Sequence, residues 1–173
     1  MGKVESGGTF QGAGTVVGDL VAGDGGPGAA TVILGLSIGS VAVTGDYQQQ
    51  SNAALMVEVD DLASDTLAVS GEAMLDGTIE LVIDDLADAP VGSSFEVITA
   101  GNVTGTFQRV TTSGTNDIYF APDYSDLTAV TFSSREYGDY DGMNGVDEGD
   151  APIFALAFSD PDQFFATMFD DPE

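Results

Sequence analysis

Short runs of alternating apolar and polar residues recur along the chain. Leu55, Val57 and Val59 fall on one side of a period of two, with Met56 and Glu58 on the other. Leu67 and Val69 repeat the pattern, Ile79, Leu81 and Ile83 flank Glu80 and Val82, and Phe95 and Val97 flank Glu96; Val130 and Phe132 close the series. Gly, Asp and Ser separate the runs, so the pattern predicts strand, turn, strand. The predicted core set is Leu55, Val57, Leu67, Val69, Ile79, Leu81, Phe95 and Val97. Helical periodicity is not convincing before about residue 149. From Gly25 to Gly45 no residue is charged, and Ala29 to Val43 is largely apolar. A spanning helix and buried strands are the two readings of that stretch. Pro27, four nearby glycines, many Val and Ile residues and the lack of a following basic anchor favour strands.

A weak repeat underlies the alternation. Val17-Gly18-Asp19-Leu20, Val43-Thr44-Gly45-Asp46-Tyr47 and Val69-Ser70-Gly71-Glu72-Ala73 share an apolar residue, a glycine, an acid and a new strand start. The glycines are 27 and then 26 residues apart. A period of roughly 20–30 residues of strand and turn fits one coil of a β-solenoid, which buries its apolar stripe only by stacking on its neighbours. Three ordinary turns of a β-sandwich would give the same triplets.

Composition narrows the function. The chain has 173 residues, 29 Asp and Glu against 3 Lys and Arg, a formal charge of −26, and no His, Cys or Trp. Such a surface repels phosphate backbones and anionic membranes, so no nucleic-acid partner and no membrane insertion are expected. The missing Cys and His exclude zinc fingers, thiol nucleophiles, Ser-His-Asp triads and disulfide frameworks. A hydrophobic content of 43% supplies a core, which predicts a folded protein with an acidic skin suited to salt. The N-terminal residues carry no basic-then-apolar leader, which leaves a cytosolic protein or a piece of a longer secreted chain.

Residues 7 to about 133 resemble autotransporter-type passenger repeats. The similarity runs in order through Gly12 to Leu20, Gly35 to Tyr47, Ala54 to Val59, Asp65 to Gly71, Leu75 to Leu81, Phe95 to Gly101 and Gly105 to Phe107. Ile38 stands where that family usually has Pro, and no membrane β-barrel translocator follows in the chain. The resemblance implies a right-handed parallel β-helix, secreted or surface-exposed, with no catalytic residue.

A second element begins after Gly138. Asp139, Asp141, Asp147 and Asp150 occupy positions 1, 3, 9 and 12 of a twelve-residue loop, with Val146 at position 8. This is the layout of an EF-hand-type calcium loop, since a hard cation takes six to eight oxygens from a tightly wound segment. The backbone carbonyl of Gly145 is expected to complete the ligand set. With Asp at position 12 and the apolar run Ala151 to Phe158 after it, the segment resembles a dockerin type I repeat, present once rather than twice. Met143 replaces the usual oxygen donor at position 5, and Asn144 the glycine at position 6, where Asn tolerates a left-handed backbone. An acidic linker before a helix is the plainer reading of the same residues. Asp150 with Pro152 and Asp160 with Pro161 read as two helix starts. Phe164, Phe165, Met168 and Phe169 form the apolar stripe of the second.

Catalysis has weaker support. Glycoside cleavage needs two carboxylates, and Asp60-Asp61 and Asp84-Asp85 are candidates, but adjacent acids at strand-to-turn steps are usually solvated. Gln48 to Gln50 reads as a polar turn. The expected fold is therefore mainly β, a β-solenoid over residues 1–133 with a small α-helical dockerin-like module at 134–173. The expected function is a non-catalytic stalk of a secreted or cell-surface bacterial protein. Calcium (Ca2+) is its expected ion, and a cohesin-like protein or a cell-surface polymer its partner. The alternative is the C-terminal portion of a polysaccharide-degrading β-helix enzyme.

Overall fold

A computed structural model describes residues 1–60, 63–83, 91–114, 118–136 and 138. These residues form sixteen strands, numbered in chain order, arranged in three sheets. The first sheet contains β1 (Gly2–Val4), β4 (Leu20–Ala22), β7 (Tyr47–Gln49), β10 (Glu72–Leu75) and β13 (Asn102–Gly105). The second contains β2 (Thr9–Gln11), β5 (Ala30–Ile33), β8 (Ala53–Val59), β11 (Thr78–Ile83) and β14 (Arg109–Ser113). The third runs β3 (Gly14–Val16), β6 (Ser40–Val43), β9 (Thr66–Val69), β12 (Ser94–Thr99), β16 (Ala129–Glu136) and β15 (Ile118–Asp123). From β1 to β14 the chain visits the sheets in strict rotation, and every pairing among those strands is parallel. That is a β-solenoid.

The coil length follows from the register. Leu20 pairs with Tyr47 and Tyr47 with Ala73, steps of 27 and 26 residues, matching the spacing of the glycine repeat. Alternation decides which side chains face in. In β8 every second residue is buried, and Leu55, Val57, Leu67, Val69, Ile79, Leu81, Phe95 and Val97 are all in the core. Stacking converts these into columns running along the solenoid: Val32, Leu55 and Ile79 in the second sheet, Val41, Leu67 and Ile98 in the third. Each fully buried Leu or Ile stabilises the stack by roughly 1.5–3 kcal/mol relative to exposure. The uncharged stretch from Ala29 to Val43 holds β5 and β6, with Ala30, Val32, Leu34, Val41 and Val43 buried. No helix occurs among the described residues, and none long and apolar enough to cross a membrane.

The far end departs from the parallel stack. β15 and β16 form an antiparallel hairpin, and β16 adds antiparallel to β12. The chain can reverse there because the connection is short and turn-rich. The Asp123 carboxylate accepts the Ser125 N–H (2.8 Å), and Asp126 accepts the Thr128 N–H (2.7 Å). A bulge between Glu96 and Ile98 turns Val97 and Ile98 inward together, closing the core against the hairpin. Phe95 and Phe120 meet there edge to face, 5.9 Å between ring centres.

Candidate functional site

The residues expected to hold calcium, Asp139, Asp141, Gly145, Asp147 and Asp150, lie outside the described residues, as do Asp61, Asp84 and Asp85. Asp60 is described and is occupied in a turn: its carboxylate accepts the Ala63 N–H at 2.8 Å. Among the described residues no three acids converge as a metal cluster would require. What side-chain chemistry they hold is concentrated at the corners between sheets.

At the corner from the third sheet to the first, the repeat glycines stack directly. Gly45 donates its N–H to the Gly18 carbonyl (3.0 Å), Gly71 to Gly45 (3.0 Å) and Gly101 to Gly71 (2.8 Å). The acid after each glycine reaches the next coil. Asp19 accepts the Asp46 N–H (3.1 Å), Asp46 accepts the Glu72 N–H (2.8 Å), and Glu72 accepts the Thr104 hydroxyl (2.9 Å). Glycine is required for space: a Cβ on Gly45 would land on the Asp19 carboxylate, and one on Gly71 on that of Asp46. The triplet seen in the sequence is thus a strut between coils.

At the corner from the first sheet to the second, Asn52 is the hub. Its amide donates to the Gly28 carbonyl (2.9 Å) and the Ser6 hydroxyl oxygen (3.1 Å), and its oxygen accepts the Gly25 N–H (3.1 Å). The Ser6 hydroxyl donates to Asp24, which also accepts the Gly26 N–H (2.9 Å). The Ser6 hydroxyl, then the Gly26 N–H, with Asn52 adding less, hold the Asp24 carboxyl down at about 2.

At the corner from the second sheet to the third, Asp65 is wholly inaccessible (0% exposed). Its two oxygens accept the N–H of Gly39 in the preceding coil (2.7 Å) and of Glu58 (2.9 Å). Burial pushes its carboxyl above the ordinary range, against the pull of those two N–H groups. Along the same corner runs a groove of about 660 Å³. Leu36, Ile38, Val59, Val82 and Ile83 give it an apolar wall, and Glu58 and Asp60 stand beside them.

One polar pair sits inside the solenoid. Gln48 to Gln50, expected as a turn, instead contributes Gln48 and Gln49 to β7, and Gln49 points into the core. The buried Tyr47 hydroxyl donates to Gln49 Oε1 (2.7 Å), and Gln49 Nε2 donates to the carbonyls of Asp76 and Thr78 (2.8 Å each). Burial raises the Tyr47 hydroxyl well above the usual phenol range, so it stays protonated and donating.

No protein-family model and no curated protein matches this chain.

The sequence pattern gives Asn52 and Asp65 no role of their own and places Gln49 in a polar turn. Gln49 had a signal, since it follows Tyr47 by two residues and period two places both on one face. Asp65 and Asn52 each stand at or just before the start of a strand, which polar turn residues also do. Nothing local distinguished a buried clamp from a solvated turn.

Proposed function

We propose that this chain is a non-catalytic β-solenoid stalk of a secreted or surface bacterial protein, carrying a dockerin-like calcium module after residue 133. The observation that supports the reading is how the solenoid uses its acids. Asp19, Asp46, Asp65 and Glu72 each accept a hydrogen bond from another coil, so these carboxylates fix the stacking of a spacer. The module supplies the attachment, to a cohesin-like protein or a cell-surface polymer. Its loop would bind one Ca2+ through Asp139, Asp141, Asp147, Asp150 and the Gly145 carbonyl. Four mutually repelling carboxylates leave such a loop loose without the ion, so binding and ordering are coupled.

Calcium titration of the full chain, followed by circular dichroism in the helical bands, tests this. Helical signal should rise with half-saturation on the order of 10⁻⁴ M, the weak end being expected with Met143 at position 5. An Asp139→Ala/Asp150→Ala variant should lose the response. No change up to millimolar calcium, or an equal change in the variant, would reduce these acids to a solvated linker.

A further inference from the structure

We infer that the first coil is a docking surface for a second copy of this chain, which pairs with it head to head through the outer edges of β1, β2 and β3.

The two ends of the solenoid are finished differently. At the far end β16 adds antiparallel to β12, and the Ala100 and Val103 N–H groups donate to the carbonyls of Thr128 (2.8 Å) and Leu127 (2.6 Å) in the hairpin loop. At the near end, among the described residues, β1, β2 and β3 each pair on one side alone, with β4, β5 and β6. The Thr31 N–H donates to the Gly8 carbonyl (2.9 Å) and the Gly12 N–H to that of Ile33 (3.2 Å). In a parallel pair those bonds turn the Phe10 backbone toward β5, and the backbone groups of Thr9 and Gln11 outward onto the open edge.

The core is unfinished there too. Phe10 heads the column that continues through Val32, and Val16 the one that continues through Val43. Val32 and Val43 are fully buried, whereas Phe10 and Val16 are half-buried and Val17 is 81% exposed.

Charge selects the occupant. Lys3 and Glu5 are the only charged side chains in residues 1–18, and they pair at 3.2 Å. The formal charge of −26 therefore lies outside this stretch, and this is the end at which two copies meet with least repulsion.

Geometry selects the arrangement. Identical surfaces close on a two-fold axis, here perpendicular to the solenoid, so each strand meets its partner antiparallel, as β16 meets β12. The chain climbs one rung from β1 to β4, with β2 and β3 on the way. Placing β2 on its own copy and β1 on β3 makes the three separations equal, so all three edges close together; centring on β1 or β3 leaves a gap. Centre on centre, Thr9 lies opposite Gln11 of the second copy, the two Phe10 rings meet, and Lys3 faces Thr15 of the second copy. Each chain leaves its solenoid at the capped end, so the stalk proposed above would carry an attachment module at both ends; the pairing itself does not rest on that reading.

Sedimentation velocity of the full chain in a calcium chelator tests this, the chelator keeping the outcome separate from the calcium reading. Dimer should form as concentration rises, and more readily in about 1 M sodium chloride, where the screening length is about 3 Å. Thr9→Glu/Gln11→Glu, at two exposed positions, sets like charges opposite one another and should weaken association at least about tenfold. Thr15→Glu adds an acid facing Lys3 of the second copy and should associate at least as well as wild type. A monomer at every concentration, unchanged association in Thr9→Glu/Gln11→Glu, or an equal loss in Thr15→Glu would overturn the pairing. The native chain has no cysteine, so Phe10→Cys gives a second readout. It should close an intermolecular disulfide at least about tenfold faster than a control Ser70→Cys on the exposed third-to-first corner. Equal rates would also overturn the pairing.

Discussion

At the scale of single residues, the corners show why so acidic a chain needs so many small neighbours. Gly71 is there because the Asp46 carboxylate fills the space its side chain would take. Gly71→Ala should cost about 1–3 kcal/mol by urea denaturation. Combined with Asp46→Ala the loss should be clearly less than additive, because removing the Asp46 carboxylate empties the space that the new methyl at position 71 enters. Asp65 makes a different prediction. Its folded pKa is raised, so its contribution to stability is fully present below the ordinary value near 3.8 and is lost as pH rises toward the folded value. Asp24 runs the other way: its pKa is lowered to about 2, so its contribution is present above 3.8 and lost as pH falls toward 2. Relative to wild type, Asp65→Asn should therefore look worst at low pH and gain ground above pH 4; Asp24→Ala should lose ground over pH 2 to 4. Asp65→Asn should still be weaker by about 1–3 kcal/mol, since an amide offers one acceptor where two buried N–H groups need one each. Denaturation curves across pH 2 to 7 read both signs.

At the scale of elements, strands were legible wherever alternation ran for four residues or more, as in β8 and β11. It fails for the three-residue strands β1 to β4, whose identity comes from stacking on the next coil and not from their own pattern. The antiparallel return of β16 was equally hidden, because alternation reports which side chains are inward and is silent on strand direction. The glycine-acid triplet was visible, but its meaning needed the register that brings residue 45 onto residue 18 and residue 71 onto residue 45. The proposed calcium loop was read from spacing alone, and its residues lie outside those described. Within β7, Gln49 binds two carbonyls beyond its own strand, at Asp76 and Thr78 on the approach to and start of β11. Gln49→Leu should thus cost more than Tyr47→Phe: the former strands a hydroxyl and two carbonyls, the latter only the Gln49 Oε1 acceptor. At roughly 1–3 kcal/mol per buried group left unpaired, the difference should be resolved by chemical denaturation.

At the scale of the whole molecule, 26 uncompensated negative charges oppose a core only one coil wide. Raising sodium chloride from about 0.05 to 1 M shortens the screening length to about 3 Å. The melting temperature should rise with it, and a flat or falling profile would mean that the corner acids already absorb the repulsion. The same three sheets also have a mechanical consequence. Their hydrogen bonds run along the stacking direction, so tension applied to the two ends would load one rung at a time and not all of them in shear. A coil of about 26 residues, once peeled, would pay out roughly 80–90 Å of chain while giving up a single 4.8 Å rung. Under pull, such a solenoid would lengthen stepwise by many times its folded height, as an extensible coil and not as a rigid rod.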